Sequence, residues 1–121
     1  MARPLNLKQE DRDFLSKIHQ TISKNPTKHF TIECLAADAG MNRTKLISGF
    51  KKLFGLGIHE FQVKVRMEKA EYLLLETDKD VKEITFLTGY QTQSSFITAF
   101  KKCHNISPLK WRKRQMMVES K

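Results

Sequence analysis

The chain has 121 residues, of which 40% are hydrophobic, enough for one compact domain or two very small ones. It carries 22 Lys and Arg residues against 13 Asp and Glu residues, a formal net charge of +9. It has no apolar run of membrane-spanning or signal-peptide length, and its two cysteines, Cys34 and Cys103, lie far apart without a CxxC motif. We therefore expect a protein of the reducing cytoplasm that is neither secreted nor inserted in a membrane.

The positive charge is concentrated in two patches. Residues 41–55 carry a net charge of +4 and residues 91–121 carry +6, whereas residues 56–90 between them carry −2. This distribution indicates a protein that binds a polyanion at two places. The alternative is a basic surface that serves only solubility.

Apolar residues recur at spacings of three and four, and only five Gly and three Pro residues are present, which predicts an all-α chain. Seven helices are expected: residues 7–23, 32–39, 43–54, 58–76, 81–88, 93–104 and a short final helix that begins at Ser107-Pro108. Expected N-caps are Thr31, Asn42, Asp80 and Thr92, and the expected breaks are Gly40, Gly55 and Gly89.

The chain contains an internal repeat. Residues 36–41 resemble residues 85–90 at an offset of 49, and residues 46–61 resemble residues 96–111 at an offset of 50. Each copy has a short helix, a glycine break and a longer helix, the plan of a helix-turn-helix unit. The predicted organisation is a first subdomain over 1–56, a linker helix over 57–77, a second subdomain over 78–115 and a tail over 116–121.

The longer helix of each copy, over about 43–54 and 93–104, is the expected recognition helix. Such a helix buries one face and presents the other to base edges in the major groove. The expected inward residues are Leu46, Phe50 and Leu53 in the first copy, and Phe96, Phe100 and Cys103 in the second. The expected outward residues are Thr44, Ile47, Ser48 and Lys51, and Gln93, Ser94, Ile97, Thr98 and Lys101.

The outward residue types suit DNA. The Gln93 amide matches adenine, the methyl group of Thr44 or Thr98 matches that of thymine, and lysines match phosphates. Ordinary amphipathic helices have a similar composition, so the alternative for each side chain is a solvated surface.

The predicted linker helix sets a distance between the two copies. Its 19 residues, 58–76, span about 28 Å at 1.5 Å per residue. Successive major grooves on one face of a duplex are roughly 34 Å apart. One chain would then read two adjacent groove segments, and a stiff linker of this length would bend the DNA.

The residues from about Thr31 to Arg112 resemble the DNA-binding domain of AraC/XylS-type transcriptional regulators. The segments that carry the resemblance are Leu35-Ala36 to Gly40, Leu46, Phe50-Lys51-Lys52, Phe54-Gly55, Phe61 to Arg66, Arg66 to Ala70, Leu73-Leu74, Val81 to Ile84, Gly89-Tyr90, Ser95-Phe96, Phe100-Lys101-Lys102 and Ser107-Pro108 with Trp111-Arg112. It implies seven helices, two helix-turn-helix units joined by a long helix, operator binding by both recognition helices and, often, contact with RNA polymerase. The chain is then either complete or the C-terminal part of a longer regulator with an upstream sensor domain.

The resemblance also implies which residues contact double-stranded DNA. The base-facing residues become Thr44, Ile47, Ser48, Gln93, Ser94 and Thr98. The phosphate contacts are expected from Asn42, Arg43, Lys45, Lys51, Lys52, Thr92, Lys101 and Lys102. The chain departs from the family pattern at Ile47-Ser48-Gly49, where relatives often carry a polar residue and an arginine, and at Thr98, where some carry arginine.

Neither a metal site nor an active site is expected. The four histidines, His19, His29, His59 and His104, are scattered, and zinc requires clustered ligands. Phosphate-binding glycine loops, zinc-protease motifs and a nucleophile with a base are absent from the sequence. We therefore predict no cofactor and no enzymatic activity.

Other prominent residues are expected to be structural. Both cysteines should be small buried hydrophobes, Trp111 should anchor the last helix, and Arg66 should form an ion pair. The apolar stripe of the first helix either packs that helix onto the first unit or docks an upstream domain. The predicted function is a sequence-specific DNA-binding transcription regulator of bacterial type; the alternatives are an architectural DNA binder of low specificity and a module that binds an acidic protein.

Overall fold

The computed structural model describes residues 6–119, and within that range the chain forms seven α-helices and no β-strand. The helices are α1 (Gln9–Lys24), α2 (Ile32–Ala39), α3 (Arg43–Phe54), α4 (Ile58–Glu76), α5 (Val81–Leu87), α6 (Gln93–His104) and α7 (Pro108–Glu119). The all-α prediction is confirmed. Helix α1 begins two residues later than predicted, and α7 continues through the predicted tail to Glu119. Residues 120 and 121 of that tail lie outside the described residues.

Side-chain caps fix where four of the helices begin. Oxygens of Thr31, Asn42, Asp80 and Thr92 accept hydrogen bonds from the backbone N–H groups three residues later, at 2.8–3.1 Å. Each bond satisfies a donor that the first turn leaves without an intrahelical partner. All four predicted N-caps are therefore confirmed.

Both recognition helices end on a residue in the left-handed region, and the repeat uses a different residue in each copy. Gly55 ends α3 with φ of 82°, and Asn105 ends α6 with φ of 67°. Asparagine is one of the few residues other than glycine that tolerate this conformation. The two helices thus stop at equivalent positions of the repeat although the sequences differ.

The chain divides into two compact units between Gln62 and Val63, inside α4. In the first unit, α1 and α2 both pack against α3. Its buried apolar residues are Leu7, Leu15, Ile18, Ile22, Leu35, Ala36, Met41, Leu46, Phe50, Ile58 and Phe61. The imidazole of His19 stacks within this core, 4.2 Å from the Phe61 ring centroid and 4.3 Å from that of Phe54.

Gly49 explains how α1 approaches α3 so closely. A Cβ atom at this buried position would lie 3.0 Å from Leu15 Cδ1 and 3.2 Å from Leu7 Cδ2. Glycine costs about 1 kcal/mol of helix propensity relative to alanine, but here the missing side chain leaves room for the leucines. The departure of Gly49 from the family pattern therefore has a packing reason.

In the second unit, α5 and α7 pack against α6. The core consists of Met67, Ala70, Leu73, Leu74, Ile84, Phe96 and Phe100, with Trp111 and other half-buried residues packed against it. The buried hydroxyls of Thr85 and Thr88 donate to the carbonyls of Val81 and Ile84, each at 2.8 Å. The predicted anchoring role of Trp111 is confirmed.

The structure corrects two side-chain orientations in α6. Cys103 was expected to face inward but is exposed, and Ile97 was expected to face outward but is half-buried against the core of the second unit. Trp111 of α7 contacts Phe100 and His104. The covered face of α6 is thus turned toward Ile97 and His104.

The expectation that both cysteines are buried is also wrong, because Cys34 is exposed as well. The inward stripe of α1 packs on the first unit through Leu15, Ile18 and Ile22, all buried. Within residues 6–119, no helix has the length and apolar character required to span a bilayer.

Candidate nucleic-acid interface

The outward face of the first recognition helix, α3, is accessible. Thr44, Ile47 and Ser48 are all exposed, Ile47 by 40%, as are Lys51 and Lys52 one turn further on. Leu46 and Phe50 are fully buried on the opposite side. The structure thus brings the three predicted base-facing residues of this unit onto one solvent-facing surface.

Two cations at the beginning of α3 have carboxylate partners within the first unit. The Arg43 guanidinium pairs with Glu33 of α2, and both side chains are about two-thirds exposed. The Lys45 ammonium lies 2.8 Å from Asp11 Oδ2 of α1. This second pair is shielded, with side-chain exposures of 31% for Lys45 and 14% for Asp11.

The pKa of Asp11 is lowered below 3.8. The hydrogen bond from Lys45 is the largest cause, followed by the backbone N–H of Lys8, which donates to Asp11 Oδ2 at 3.0 Å. Hydrogen bonds to the charged form of a carboxylate favour that form. Asp11 is therefore ionised at neutral pH and holds Lys45 by charge.

The second recognition helix, α6, also presents its predicted residues. Gln93, Ser94 and Thr98 are exposed, and so are Lys101 and Lys102 near its C-terminal end. In the part of the chain that the structure describes, no carboxylate pairs with either lysine. The N-terminal end of α6 thus offers neutral polar groups, and its C-terminal end offers two cations.

Gln93 borders a small depression at the beginning of α6. The depression has a volume of about 140 Å³ and is lined by Val81, Gln93, Ile97, Ser107, Pro108 and Leu109. Gln93 therefore lies where α6 meets the first residues of α5 and α7.

His104 fixes the last turn of α6. Its imidazole stacks on Phe100 at 4.2 Å, lies 5.4 Å from Trp111, and has Nε2 2.9 Å from Glu71 Oε1 of α4. These contacts position the turn that carries Lys101 and Lys102.

Arg66, for which the sequence predicted an ion pair, is buried in the second unit. Its guanidinium carbon lies 5.2 Å from the centroid of the Tyr90 ring, a cation–π geometry. Burial raises the pKa of Tyr90, and the positive charge of Arg66 opposes that rise. Arg66 therefore contributes to the core of its unit.

Three residues with a structural role in the units were missed by sequence reasoning. Asp11 neutralises Lys45, Gln62 Nε2 donates to the Phe30 carbonyl at 3.3 Å, and Arg112 Nε donates to the Leu74 carbonyl at 2.9 Å. The internal repeat could have identified Gln62 and Arg112, because they are 50 positions apart and both side chains are hydrogen-bond donors. No local pattern identifies Asp11, whose partner is 34 positions away.

The described residues contain no group of three or more His, Cys, Asp or Glu side chains that could hold a metal ion. A structural zinc site needs four ligands.

Two helix-turn-helix units, each with polar and cationic side chains on the exposed face of its second helix, define the class of helix-turn-helix nucleic-acid-binding proteins. A family model described as a helix-turn-helix domain matches residues 35–114. The chain belongs to this family, the AraC/XylS-type helix-turn-helix domains found in DNA-binding transcription regulators.

Two curated relatives are longer than this chain. The HTH-type transcriptional regulator MtrA of Neisseria gonorrhoeae is 32% identical over 99 residues, which are 82% of this chain and 33% of MtrA. The bifunctional transcriptional activator/DNA repair enzyme AdaA of Bacillus subtilis is 30% identical over 119 residues, 98% of this chain and 56% of AdaA. The chain thus spans between a third and just over half of these relatives.

Among solved structures, the DNA-binding domain of AdpA, a global transcriptional factor crystallised with a target DNA, has the same fold. The TM-score is 0.81 at 22% identity, covering 88% of this chain and 96% of that domain. The seven-helix arrangement predicted from the sequence is that of this family.

Proposed function

We propose that this chain is the sequence-specific DNA-binding part of a bacterial-type transcription regulator. The observation that carries the proposal is the pair of exposed recognition-helix faces, each of which carries mostly uncharged polar side chains followed by two lysines. Family membership supports it, and AdpA, with the same fold, is bound to a target DNA in its crystal structure. The function proposed is binding rather than catalysis; the repair activity in AdaA's name belongs to that protein.

The proposed base contacts come from six exposed residues. They are Thr44, Ile47, Ser48, Gln93, Ser94 and Thr98. The amide of Gln93 suits bidentate pairing with adenine, and the methyl groups of Thr44, Ile47 and Thr98 suit the thymine methyl group. Neither arginine nor lysine stands among them, so this set of six lacks the side chains that pair bidentately with guanine.

The proposed phosphate contacts flank these base contacts. Lys51, Lys52, Lys101 and Lys102 follow them near the C-terminal ends of the helices, and Asn42, Arg43 and Thr92 lie at the N-terminal ends. The Asn42 and Thr92 oxygens cap their helices, and the Thr92 hydroxyl donates to Ser95 Oγ at 2.8 Å. The amide protons of Asn42 and the first backbone N–H groups of both helices are therefore the expected donors to phosphate.

We propose further that both recognition helices bind one duplex at adjacent segments of the major groove. Two helix-turn-helix units in one chain, joined by a single helix of 19 residues, support this arrangement. A monomer would then recognise an asymmetric site of about two helical turns.

Selection from a random duplex library tests the proposal. The selected duplex and a scrambled control would be titrated with the purified chain at two salt concentrations. We expect enrichment of an asymmetric motif of about two helical turns and a steep loss of affinity with salt for both duplexes.

Other outcomes of the selection identify other functions. A motif of half that length would mean that one helix provides the specificity. Salt-sensitive binding without enrichment would indicate an architectural binder, and absence of binding to any duplex would favour a module that recognises an acidic protein.

We also propose that the intact regulator acts in the cytoplasm at the nucleoid, contacts RNA polymerase and, in a longer chain, carries a sensor domain. The greater length of MtrA and AdaA supports the last point. In vitro transcription from a promoter bearing the selected site tests polymerase contact. If the chain changes the transcript level only by blocking access of RNA polymerase to the promoter, the proposed polymerase contact is wrong.

A further inference from the structure

The first recognition helix carries a cation at a position where its counterpart in the second unit is neutral. Lys45 of α3 corresponds to Ser95 of α6 at the repeat offset of 50. The Lys45 ammonium lies 2.8 Å from Asp11 Oδ2, so the pair as a whole is electrically neutral, like Ser95. Asp11 lies on α1, which precedes the two helices, α2 and α3, of this helix-turn-helix.

We propose that Asp11 sets the DNA affinity of the first unit by retaining Lys45 on the protein, so that this lysine makes no phosphate contact in the wild-type chain. The inference rests on the proposed function and refines its list of contacts. Asp11 acts here through Lys45 and is a positioning residue, not a DNA contact.

Burial distinguishes this pair from the other pair at the beginning of α3. To bind a phosphate, Lys45 would have to leave Asp11, whose side chain is only 14% exposed. The Asp11 carboxylate would then be a largely covered charge without a partner, which is unfavourable. Arg43 and Glu33 are 65% and 68% exposed, and an exposed ion pair of this kind contributes little. Arg43 is therefore free to exchange its partner for phosphate, whereas Lys45 is not.

This arrangement favours specificity over affinity. Phosphate contacts strengthen binding to every sequence, whereas contacts to base edges distinguish sequences. Because Asp11 keeps Lys45 from binding phosphate, it reduces the sequence-independent part of the binding free energy. The ratio of affinities for the selected and scrambled duplexes is then determined more by the base-facing residues.

The Asp11→Asn variant tests the inference. Asparagine retains an oxygen that can accept the N–H of Lys8, but it removes the charge that holds Lys45. Asp13→Asn is the matched control, because it makes the same change of charge on the same helix and its carboxylate accepts from the neutral amide of Gln9, at 3.0 Å. Both variants would be titrated with the selected and scrambled duplexes between about 50 and 200 mM salt.

We expect Asp11→Asn to bind both duplexes more tightly at low salt than Asp13→Asn does. One added phosphate contact steepens the dependence of log K on log salt by about 0.9, which means about 3.5-fold more affinity lost between 50 and 200 mM salt. Identical affinities and slopes for Asp11→Asn and Asp13→Asn would overturn the inference.

The Lys45→Gln variant keeps the test independent of how well Asp11→Asn folds. In the wild-type background it should leave the salt slope unchanged, and in the Asp11→Asn background it should abolish the added slope. A slope that becomes shallower by about 0.9 in the wild-type background would show that Lys45 already contacts phosphate, and the inference would be wrong.

The same titration separates this inference from the proposed function. If the wild-type chain binds no duplex, the proposed function fails. If it binds with sequence preference but Asp11→Asn behaves like Asp13→Asn, only the role of Asp11 fails.

Discussion

Gln62 and Arg112 occupy equivalent positions of the internal repeat, and each donates a hydrogen bond to a backbone carbonyl just before the first helix of its own helix-turn-helix unit. Gln62 Nε2 donates to the Phe30 carbonyl at 3.3 Å, and an Arg112 terminal nitrogen donates to the Thr77 carbonyl at 3.2 Å. The two units thus use the same position to hold the segment that leads into α2 or α5. A positional repeat of this kind indicates that the two units are built on one plan.

Replacing Arg112 by methionine should destabilise the second unit. Arg112 Nε also donates to the Leu74 carbonyl at 2.9 Å, so the side chain satisfies carbonyls that the end of α4 leaves without helical partners. Hydrogen bonds from a charged group are worth about 1.5–3 kcal/mol, and the free energy of unfolding in urea should fall by about that amount.

The control for this prediction is Arg114→Met on the same helix. Arg114 is exposed, and substitutions at such positions usually change stability by no more than about 0.5 kcal/mol. Equal losses for the two variants would show that the carbonyl contacts of Arg112 contribute nothing specific.

Replacing Gly49 by valine should also destabilise the chain, by about 1–3 kcal/mol. The added side chain would be forced against Leu15 and Leu7, which lie 3.0 Å and 3.2 Å from the position of a Cβ atom. Thermal or urea unfolding measures the loss. Ser48→Val places the same β-branched side chain at the neighbouring exposed position. A loss as large there would show that contact with Leu15 and Leu7 is not the cause.

Replacing Gln93 by alanine should weaken binding to the selected duplex by about 1–3 kcal/mol and relax the preference at one base pair. The reason is the loss of an amide that pairs with adenine, and repeated selection with the variant measures it. Gln20→Ala, an exposed glutamine on α1, serves as the control. An equal loss of affinity on scrambled DNA would remove Gln93 from the base-facing set.

Replacing Lys101 by glutamine should weaken binding to all duplexes alike. One phosphate contact fewer makes the slope of log K against log salt shallower by about 0.9. Titration over a range of salt concentrations measures this slope, with Lys24→Gln on α1 as a variant of equal charge. If both variants show the wild-type slope, Lys101 does not contact phosphate.

The contribution of Asp11 to folding stability should depend on pH. Its folded-state pKa lies below 3.8, chiefly because Lys45 donates to it, so its contribution is present above that pH and is lost as the pH falls through the lowered pKa. The difference in urea midpoint between the wild-type chain and Asp11→Asn should therefore shrink toward zero in acid. A difference that stays constant from neutral to acidic pH would contradict the assignment.

Local signals in the sequence predicted most of the fold because they act within one helical turn. Thr31 and Asn42 cap the helices that they were expected to cap, and Gly55 ends α3 as expected. Long-range contacts were harder to anticipate. The sequence placed Cys103 inward and Ile97 outward, whereas Cys103 is exposed and Ile97 packs against the core of the second unit.

The candidate interface was predictable to a similar degree. The exposure of Thr44, Ser48 and Thr98 follows from helical periodicity, which requires only their spacing from the buried phenylalanines. The state of the cations does not follow from spacing. In the sequence, Lys45 does not differ from the other lysines of its basic patch. Only the tertiary structure shows that α1 places Asp11 beside its ammonium group.

The sequence by itself determined seven helices, their caps, the repeat of two helix-turn-helix units and the two patches of positive charge, because each of these depends on residue type and on spacings within a few turns. The tertiary structure alone decided which carboxylate neutralises Lys45, why Gly49 is needed beneath Leu15 and how Arg112 satisfies the end of α4. These contacts join residues that are 34 to 38 positions apart. The physical reason is that the packing of whole helices brings such residues together. Local propensity does not determine which distant side chain a given residue contacts.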